Sequence, residues 1–206
     1  SIEATEVTHE LVDVLAQFPD KVCPHLHVSM QSGSDGVLRR MRRRWGSSRF
    51  VDRCRLVQQT LDLPALTTDI IVGFPGETDS EFMETCNVVR EIGFSKIHIF
   101  PFSARRGTVA AKMPDQIPPH EKQLRSRHLA EVEQETRAEY YSCLQGKKLQ
   151  VLFESVSKDQ NHLAGTSCRY APVEVAVDPA DSAHDALGTL CTVSADKVAN
   201  NRIVAS

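Results

Sequence analysis

The first hundred residues alternate between helical and extended patterns of apolar positions. Apolar residues spaced three and four apart predict amphipathic helices, of which the first begins after Thr8 and the last ends at Gly93. Three extended segments predict strands at 22–30, 65–72 and 96–102, of which the second is nearly continuously apolar and rich in β-branched residues. Because a helix precedes each strand, we expect the strands to run parallel in one open α/β sheet, as in part of a βα barrel or in a doubly wound sheet.

The pattern changes after residue 103. Residues 103–119 are rich in proline and predict a loop, and Pro118 and Pro119 predict the first turn of a long helix that ends at Gly146. Beyond Lys147, polar turns separate short apolar segments, which predict strands at 149–156, 172–177, 187–193 and 202–204. The predicted organisation is therefore an α/β unit at 1–117, a linking helix at 118–146, and a small all-β, OB-like barrel at 147–206.

Composition and charge limit the partners and the cellular location that we expect for the protein. The formal net charge is −3, so a nucleic acid would have to be held by local rather than overall charge. No apolar run approaches the roughly 18 residues that span a bilayer, and the start resembles no signal peptide. We therefore expect a cytoplasmic protein with no membrane partner. The first residue is Ser1 rather than Met, which favours a piece of a longer chain.

The cysteines predict no metal cluster. Six are present, each more than 20 residues from the next: Cys23, Cys54, Cys86, Cys143, Cys168 and Cys191. Zinc and iron–sulfur sites place cysteines only a few residues apart, so this spacing predicts reduced and mostly buried thiols.

Three predicted strand ends carry residues suited to a ligand. They are Met30–Ser34, which offers an amide and hydroxyls, the glycine-containing turn Gly73–Thr78, and the aromatic Phe100–Ser103. Ligands of parallel α/β sheets bind where strands end and helices begin. Three such ends in succession favour a nucleotide-like ligand.

Arginine is concentrated in residues 39–55. The eight arginines are Arg39, Arg40, Arg42, Arg43, Arg44, Arg49, Arg53 and Arg55, and Asp52 is the single acid among them. Such a run repels itself, so we favour an anionic partner over a merely solvated helix face. Residues 147–206 carry six basic and seven acidic residues and are less suited to bind RNA alone.

Histidines suggest an alternative chemistry. His25 and His27 share one face of a predicted strand, and with Asp69 and His98 they could form a metal site of a hydrolase barrel. The pair lies early in its strand, whereas barrel active sites gather at the carboxyl ends. Hydrogen-bonded histidines without a metal are the preferred interpretation.

Several of these segments resemble motifs of radical S-adenosylmethionine (SAM) tRNA methylthiotransferases. His25–Asp35 resembles the fourth-strand motif of that family, and Asp69–Thr78 resembles the fifth. Phe100–Thr108 is similar to the sixth strand and its loop, and the match continues through Met113–Pro118. The all-β tail is similar to a TRAM domain, an RNA-binding barrel. The sixth-strand pattern is most similar to the branch that acts on threonylcarbamoyl-adenosine beside the anticodon.

The resemblance implies that residues 1–117 are the carboxy-terminal half of a radical-SAM (β/α)6 partial barrel, with three strands in an open sheet. It also implies a function and roles for individual residues. The family transfers a methylthio group to carbon 2 of the base through a 5′-deoxyadenosyl radical made from SAM. The residues implied to bind SAM are Gln31, Ser32, Ser34, Arg43, Gly73, Phe74, Pro75, Phe100, Pro101 and Phe102. Those implied to hold tRNA are Arg39, Arg40, Arg44, Lys147 and Lys148.

The sequence departs from the family in its cysteines. The family holds two [4Fe–4S] clusters, and neither the C-x3-C-x2-C loop nor the auxiliary cysteines occur here. The resemblance places these ligands upstream of Ser1, so the fragment alone is expected to be inactive. A non-catalytic RNA-binding module is the main alternative, and the electron donor and sulfur source stay open.

Overall fold

A computed structural model describes residues 1–157, 161–177 and 186–206. Its helices are α1 (His9–Gln17), α2 (Asp35–Arg40), α3 (Ser47–Thr60), α4 (Asp79–Ile92) and α5 (Pro119–Cys143). Its strands are β1 (His25–His27), β2 (Ala65–Val72), β3 (Lys96–Pro101), β4 (Lys148–Val156), β5 (His162–Ser167), β6 (Pro172–Ala176), β7 (Leu190–Ala199) and β8 (Arg202–Ala205). Single 3₁₀ turns occupy Ala4–Glu6 and Ala110–Lys112. No helix of the described residues is long and apolar enough to cross a membrane.

The first three strands form the expected open parallel sheet, in the order β1-β2-β3. The helices α1, α3 and α4 precede these strands, as the sequence predicts. Strand β1 is much shorter than the predicted 22–30, because regular pairing covers only His25–His27. Isolated bridges continue its line, from Val28 to Ile2 on one side and from Gln31 to Ile70 on the other.

The two faces of this sheet differ in character. One face is covered by helices and buries apolar side chains such as Leu26, Ile70 and Ile97. The opposite face, called here the inner face, carries His27, Asp69 and other polar side chains that are only partly buried. The sheet therefore has a dry structural side and a side open to ligands.

Helix α4 follows its sequence signals closely. Thr78 accepts a hydrogen bond from the Glu81 backbone amide, and the Glu81 carboxylate accepts one from the Thr78 amide, which completes a capping box. Gly93 ends the helix with a φ of 71°, a left-handed conformation that glycine adopts without strain. Both ends of α4 are thus fixed locally.

Helix α5 buries most of the stripe that its apolar spacing predicts: Val132, Thr136 and Leu144 are buried and Tyr140 is half-buried. Leu124, the first member of the predicted stripe, is instead exposed, whereas Arg125 and Glu133 are buried. Apolar spacing could not show these last two, because they are charged residues whose burial depends on ion pairs.

The last five strands close into a barrel in the order β4-β5-β6-β8-β7. Neighbouring strands are antiparallel except β6 and β8, which pair in parallel. Strand β5 was absent from the sequence predictions, because small residues hide its alternation. Its inward positions are Leu163, Gly165 and Ser167, and a Cβ on Gly165 would collide with the Leu152 carbonyl. The close approach of two strands thus requires a residue that weakens the β signal.

Candidate functional site

A cavity of about 370 Å³ lies where the parallel strands end. Its walls come from the ends of β1 and β2, the segment after α2, and the turn at Ala110–Lys112. The lining residues are Gln31, Arg40, Met41, Arg42, Arg43, Ile71, Phe74, Val109, Ala110 and Met113. Three residues implied to bind SAM therefore share one cavity, namely Gln31, Arg43 and Phe74.

Gln31 owes its place to an unusual backbone conformation. Its φ is 66°, in the left-handed region that residues other than glycine seldom adopt. Its backbone amide donates to the backbone carbonyl of Asp69 at 2.8 Å, and its backbone carbonyl accepts from the backbone amide of Ile71 at 2.9 Å. Two hydrogen bonds to β2 thus hold a strained residue at the cavity wall, which is typical of a binding site.

The buried carboxylate of Glu77 stabilises the turn Gly73–Glu77 through hydrogen bonds. The Gly73 amide donates to Glu77 Oε2 at 2.7 Å, and Arg125 Nη1 donates to the same oxygen at 2.8 Å. Burial raises the pKa of Glu77, while the hydrogen bond from Gly73 and the charge of Arg125 oppose that rise. The arrangement fixes the backbone on which Phe74 enters the cavity.

The two phenylalanines at the end of β3 differ in exposure: Phe102 packs against other side chains, whereas Phe100 faces solvent. Phe102 meets Phe74 edge to face at 5.1 Å, and Lys122 lies 5.2 Å from the Phe102 ring centre. Phe100 and Pro101 are instead exposed, with Phe100 at 51% of its full accessibility. Phe102 therefore supports the cavity wall, whereas Phe100 is free to contact a ligand on the inner face.

Ser32 and Ser34 lie in the protein interior and do not line the cavity. Ser32 Oγ lies 3.2 Å from Thr85 Oγ1 on α4, and the Ser34 amide donates to Ser32 Oγ. Ser34 Oγ is buried without a hydrogen-bond partner among the described protein atoms. Between them, a Cβ on Gly33 would lie 2.7 Å from Thr85 Cα, so this turn is pressed against α4.

The arginine run separates into paired and unpaired members. Arg40 forms a two-pronged ion pair with Glu81, at 3.0 and 2.7 Å, and Arg43 pairs with Glu3 at 2.6 Å. Arg39 and Arg44 are exposed, with no ion-pair partner in the part of the chain that the structure describes. Arg40, predicted to hold RNA, thus joins α2 to α4, while the exposed pair is available to an anion.

The barrel meets the α/β half at a second, larger cavity. Lys148 and Arg169 line this space of about 510 Å³ together with residues that precede β1 and β2. Arg169 pairs with Asp62 at 3.2 Å. Lys147 is exposed beside Lys148 at the start of the barrel. This cavity lies at the amino-terminal ends of the parallel strands, opposite the first one.

A hydrogen-bonded row of polar residues crosses the inner face between the two cavities. Thr67 Oγ1 lies 3.0 Å from both His25 Nε2 and His27 Nδ1, and His27 Nε2 lies 3.3 Å from Asp69. Burial lowers the pKa of His25, and the nearby His27 and the chain's amino terminus act in the same direction. Ligand atoms of His27, Asp69 and His98 lie within 4.8 Å of one another, a geometry that could admit a metal ion.

Within the ranges that the structure describes, the six cysteines form no group of three or more metal ligands. The expectation that most of them are buried is wrong, because Cys23 and Cys143 are exposed and Cys168 and Cys191 are half-buried. Cys54 and Cys86 are buried in α3 and α4, and burial raises their pKa values to about 12 and about 11. Among the described residues, the sole group of three or more potential metal ligands is the His27–Asp69–His98 set, which contains no thiol. An iron–sulfur cluster has no thiolate ligand set in this part of the chain.

Comparison with known proteins identifies the class. A model of the radical SAM superfamily matches residues 1–89. The solved structure of coproporphyrinogen III oxidase (HemN) from Escherichia coli, a radical SAM enzyme, superposes with a TM-score of 0.52 at 17% identity. The superposition covers 66% of this chain and 31% of that one. At this identity the likeness shows the fold, which is that of a radical SAM protein.

Sequence relatives narrow the class further. The threonylcarbamoyladenosine tRNA methylthiotransferase MtaB of Bacillus subtilis (strain 168) is 41% identical over 84% of this chain, and the Thermotoga maritima protein of the same name is 42% identical over 75%. The tRNA-2-methylthio-N(6)-dimethylallyladenosine synthase of Thermoanaerobacter sp. (strain X514) is 39% identical over 77%. The chain belongs to the radical SAM tRNA methylthiotransferase family.

The matched regions cover only part of these relatives. They span 39% of the Bacillus protein, 35% of the Thermotoga protein and 34% of the Thermoanaerobacter protein. The chain thus spans between about a third and two fifths of the curated relatives' length.

The loop after β3 is a part of the site to which the sequence assigned no role. Val109, Ala110 and Met113 close one side of the first cavity. The segment Met113–Pro118 had been matched to the family, but nothing in its pattern showed that it folds back over the strand ends. Its contacts depend on tertiary structure rather than on local periodicity.

Proposed function

We propose that this chain is the carboxy-terminal part of an enzyme that transfers a methylthio group to carbon 2 of threonylcarbamoyl-adenosine in tRNA. The observation that carries the proposal is the cavity at the strand ends, which is built from the segments matched to the family. We divide the chain into half of the catalytic barrel at 1–117, a linking helix at 118–146 and a TRAM-type RNA-binding barrel at 147–206. Because its substrate would be tRNA, we place the protein in the cytoplasm.

We assign SAM to the cavity at the strand ends. Phe74, Ile71 and Met113 offer an apolar wall for the adenine, and Gln31 offers an amide for polar groups of the ligand. Arg43 reaches the same space and would exchange its ion pair with the half-exposed Glu3 for one with the SAM carboxylate. Phe100, which shares the inner face with His98, would flank the ligand there, whereas Pro101 follows on the opposite face and would shape only the strand end. When bound, SAM supplies the 5′-deoxyadenosyl group for radical chemistry.

The iron–sulfur clusters that the family uses do not fit the described residues, which lack a set of neighbouring thiolates. Our proposal therefore assigns to this chain the binding and orientation of SAM and RNA. Alone, the chain would be inactive, since the cluster ligands would have to come from another segment or chain.

Nucleoside analysis of tRNA tests the activity. Deleting the gene should remove the methylthio derivative of threonylcarbamoyl-adenosine and leave its unmodified precursor, as measured by liquid chromatography and mass spectrometry. Reintroducing the gene should restore the derivative. Loss of the methylthio group from dimethylallyl-adenosine would instead assign the protein to the sister activity. Unchanged nucleosides would favour a non-catalytic RNA-binding module, or a hydrolase if the protein purifies with zinc that His27→Ala removes.

Arg43 is expected to contribute directly to SAM affinity. Arg43→Ala should weaken SAM binding about tenfold, because a charge-assisted hydrogen bond to a carboxylate contributes roughly 1.5 kcal/mol. Titration calorimetry with SAM measures the change. Arg44→Ala is the matched control, since Arg44 is exposed and does not line the cavity. Equal losses in both variants would show that only general charge matters and would contradict the assignment.

A further inference from the structure

Tyr170 lies at the junction between the barrel and the inner face. It belongs to the turn between β5 and β6, and its ring stacks on His25 with the ring centres 4.5 Å apart and the planes 5° from parallel. The residue as a whole keeps 43% of its full accessibility even though His25 contacts its ring. Tyr170 therefore presents an exposed aromatic surface at the amino-terminal end of β1.

The backbone of Tyr170 is strained. Its φ is 56°, in the left-handed region that glycine and asparagine favour and that tyrosine seldom occupies. The turn is held by hydrogen bonds from the Tyr170 amide to the Ser167 carbonyl and from the Ala171 amide to Ser167 Oγ. A tyrosine kept where asparagine would fit better indicates that the side chain itself has a use.

The surroundings of Tyr170 suit RNA. The guanidinium of neighbouring Arg169 pairs with Asp62, so the positive charge available to RNA nearby is that of Lys148, which is exposed and lines the same cavity. On the other side, His25 begins the hydrogen-bonded row that leads through Thr67 and His27 toward Asp69. Aromatic rings next to basic side chains are the usual platform for unpaired bases, because every base has a flat face to stack.

We propose that Tyr170, backed by His25, is a stacking platform for one unpaired base of the RNA substrate. The inference rests on the proposed function and adds the place where the RNA first meets the inner face. RNA held by the barrel enters at the amino-terminal end of the sheet, with one base stacked on Tyr170. The target nucleoside then lies along the inner face toward the cavity at the strand ends.

Binding of a short RNA hairpin with 2-aminopurine in its loop tests the platform. Tyr170→Ala in the 206-residue chain should lower RNA affinity at least about fivefold and abolish quenching of the fluorescent base. Tyr170→Phe should retain both, because its ring still stacks. The salt dependence of affinity should keep its slope in all variants, since stacking releases no counterions. Leu152→Ala is the control, because Leu152 lies on the same barrel and has a similar exposure of 41%.

Tyr170→Asn separates this role from a structural one. Asparagine relieves the strained backbone, so the melting temperature should not fall while RNA affinity drops as in Tyr170→Ala. A melting temperature that falls in both variants would show that Tyr170 anchors the barrel, and would overturn the inference. RNA binding that is insensitive to Tyr170→Ala would overturn it and leave the proposed function intact. A chain that binds no RNA would count against both.

Discussion

Replacing Arg125 with methionine is expected to lower the free energy of unfolding by about 3–5 kcal/mol at pH 8. The cost arises at Glu77, whose side chain is 1% exposed and would keep a buried charge without its ion-pair partner. Asp79, the other partner of Arg125, is 97% exposed and stays solvated after the change. Urea denaturation of the two proteins measures the difference.

The pH dependence of this loss has a definite sign. The pKa of Glu77 in the folded protein is raised by burial, and removing Arg125 takes away an opposing cause, so it should rise further. When the pKa of a carboxyl group is higher in the folded than in the unfolded state, the protein becomes less stable as the pH rises from the unfolded-state pKa through the folded-state pKa. The variant should therefore recover part of its stability between pH 8 and pH 5.

Two further variants identify the source of the effect. Asp79→Ala removes the exposed partner and should cost less than about 1 kcal/mol. Adding Glu77→Gln to Arg125→Met should restore part of the loss, because the buried charge is gone while an amide oxygen can still accept from Gly73. If Asp79→Ala proved as harmful as Arg125→Met, the buried carboxylate would not be the cause.

Removing three exposed arginines is expected to reduce tRNA affinity about 100-fold near 0.15 M salt. The variant replaces Arg39, Arg44 and Arg49 with alanine, all of which are exposed and lack an ion-pair partner in the described chain. If each neutralises one phosphate, the slope of log affinity against log salt should fall by roughly 2–3. Filter binding over a range of salt concentrations measures both quantities.

The control removes the same charge elsewhere. Lys21, Lys112 and Arg127 are exposed and lie on other elements, so their triple alanine variant should change the slope far less. Arg40→Ala should also leave the slope nearly unchanged, because that side chain is occupied by Glu81. If both triple variants flatten the slope equally, the arginine run is only a solvated surface.

The sequence predicted those parts of the fold in which local signals and packing agree. The capping box at Thr78 and the strand at Ala65–Val72 formed as expected, because neighbouring residues determine the cap and a continuous apolar run suits a buried strand. Strand β5 and the burial of Arg125 on α5 were missed. Their patterns depend on a close strand approach at Gly165 and on a distant ion-pair partner of Arg125.

The candidate site was predictable at the level of segments but not of side chains. Motifs located the strand ends, and Gln31, Arg43 and Phe74 do share the cavity. Motifs could not distinguish Arg40, which pairs with Glu81, from exposed Arg39. They also gave no sign of Tyr170, since its importance comes from a ring contact between segments 145 residues apart in sequence.

The length of helix α5 sets the distance between the carboxyl ends of the parallel strands and the start of the all-β barrel. Its first turns lie at the strand ends, where Lys122 donates to the Phe102 carbonyl, and its last turns lie beside Leu63, which accepts from Tyr140. At about 1.5 Å per residue, its 25 residues extend roughly 38 Å. If the barrel grips RNA as proposed, this rigid rod sets how far a held stem stands from the reacting base. Shortening helix α5 would then change which nucleotide reaches the cavity at the strand ends, rather than how tightly the RNA binds.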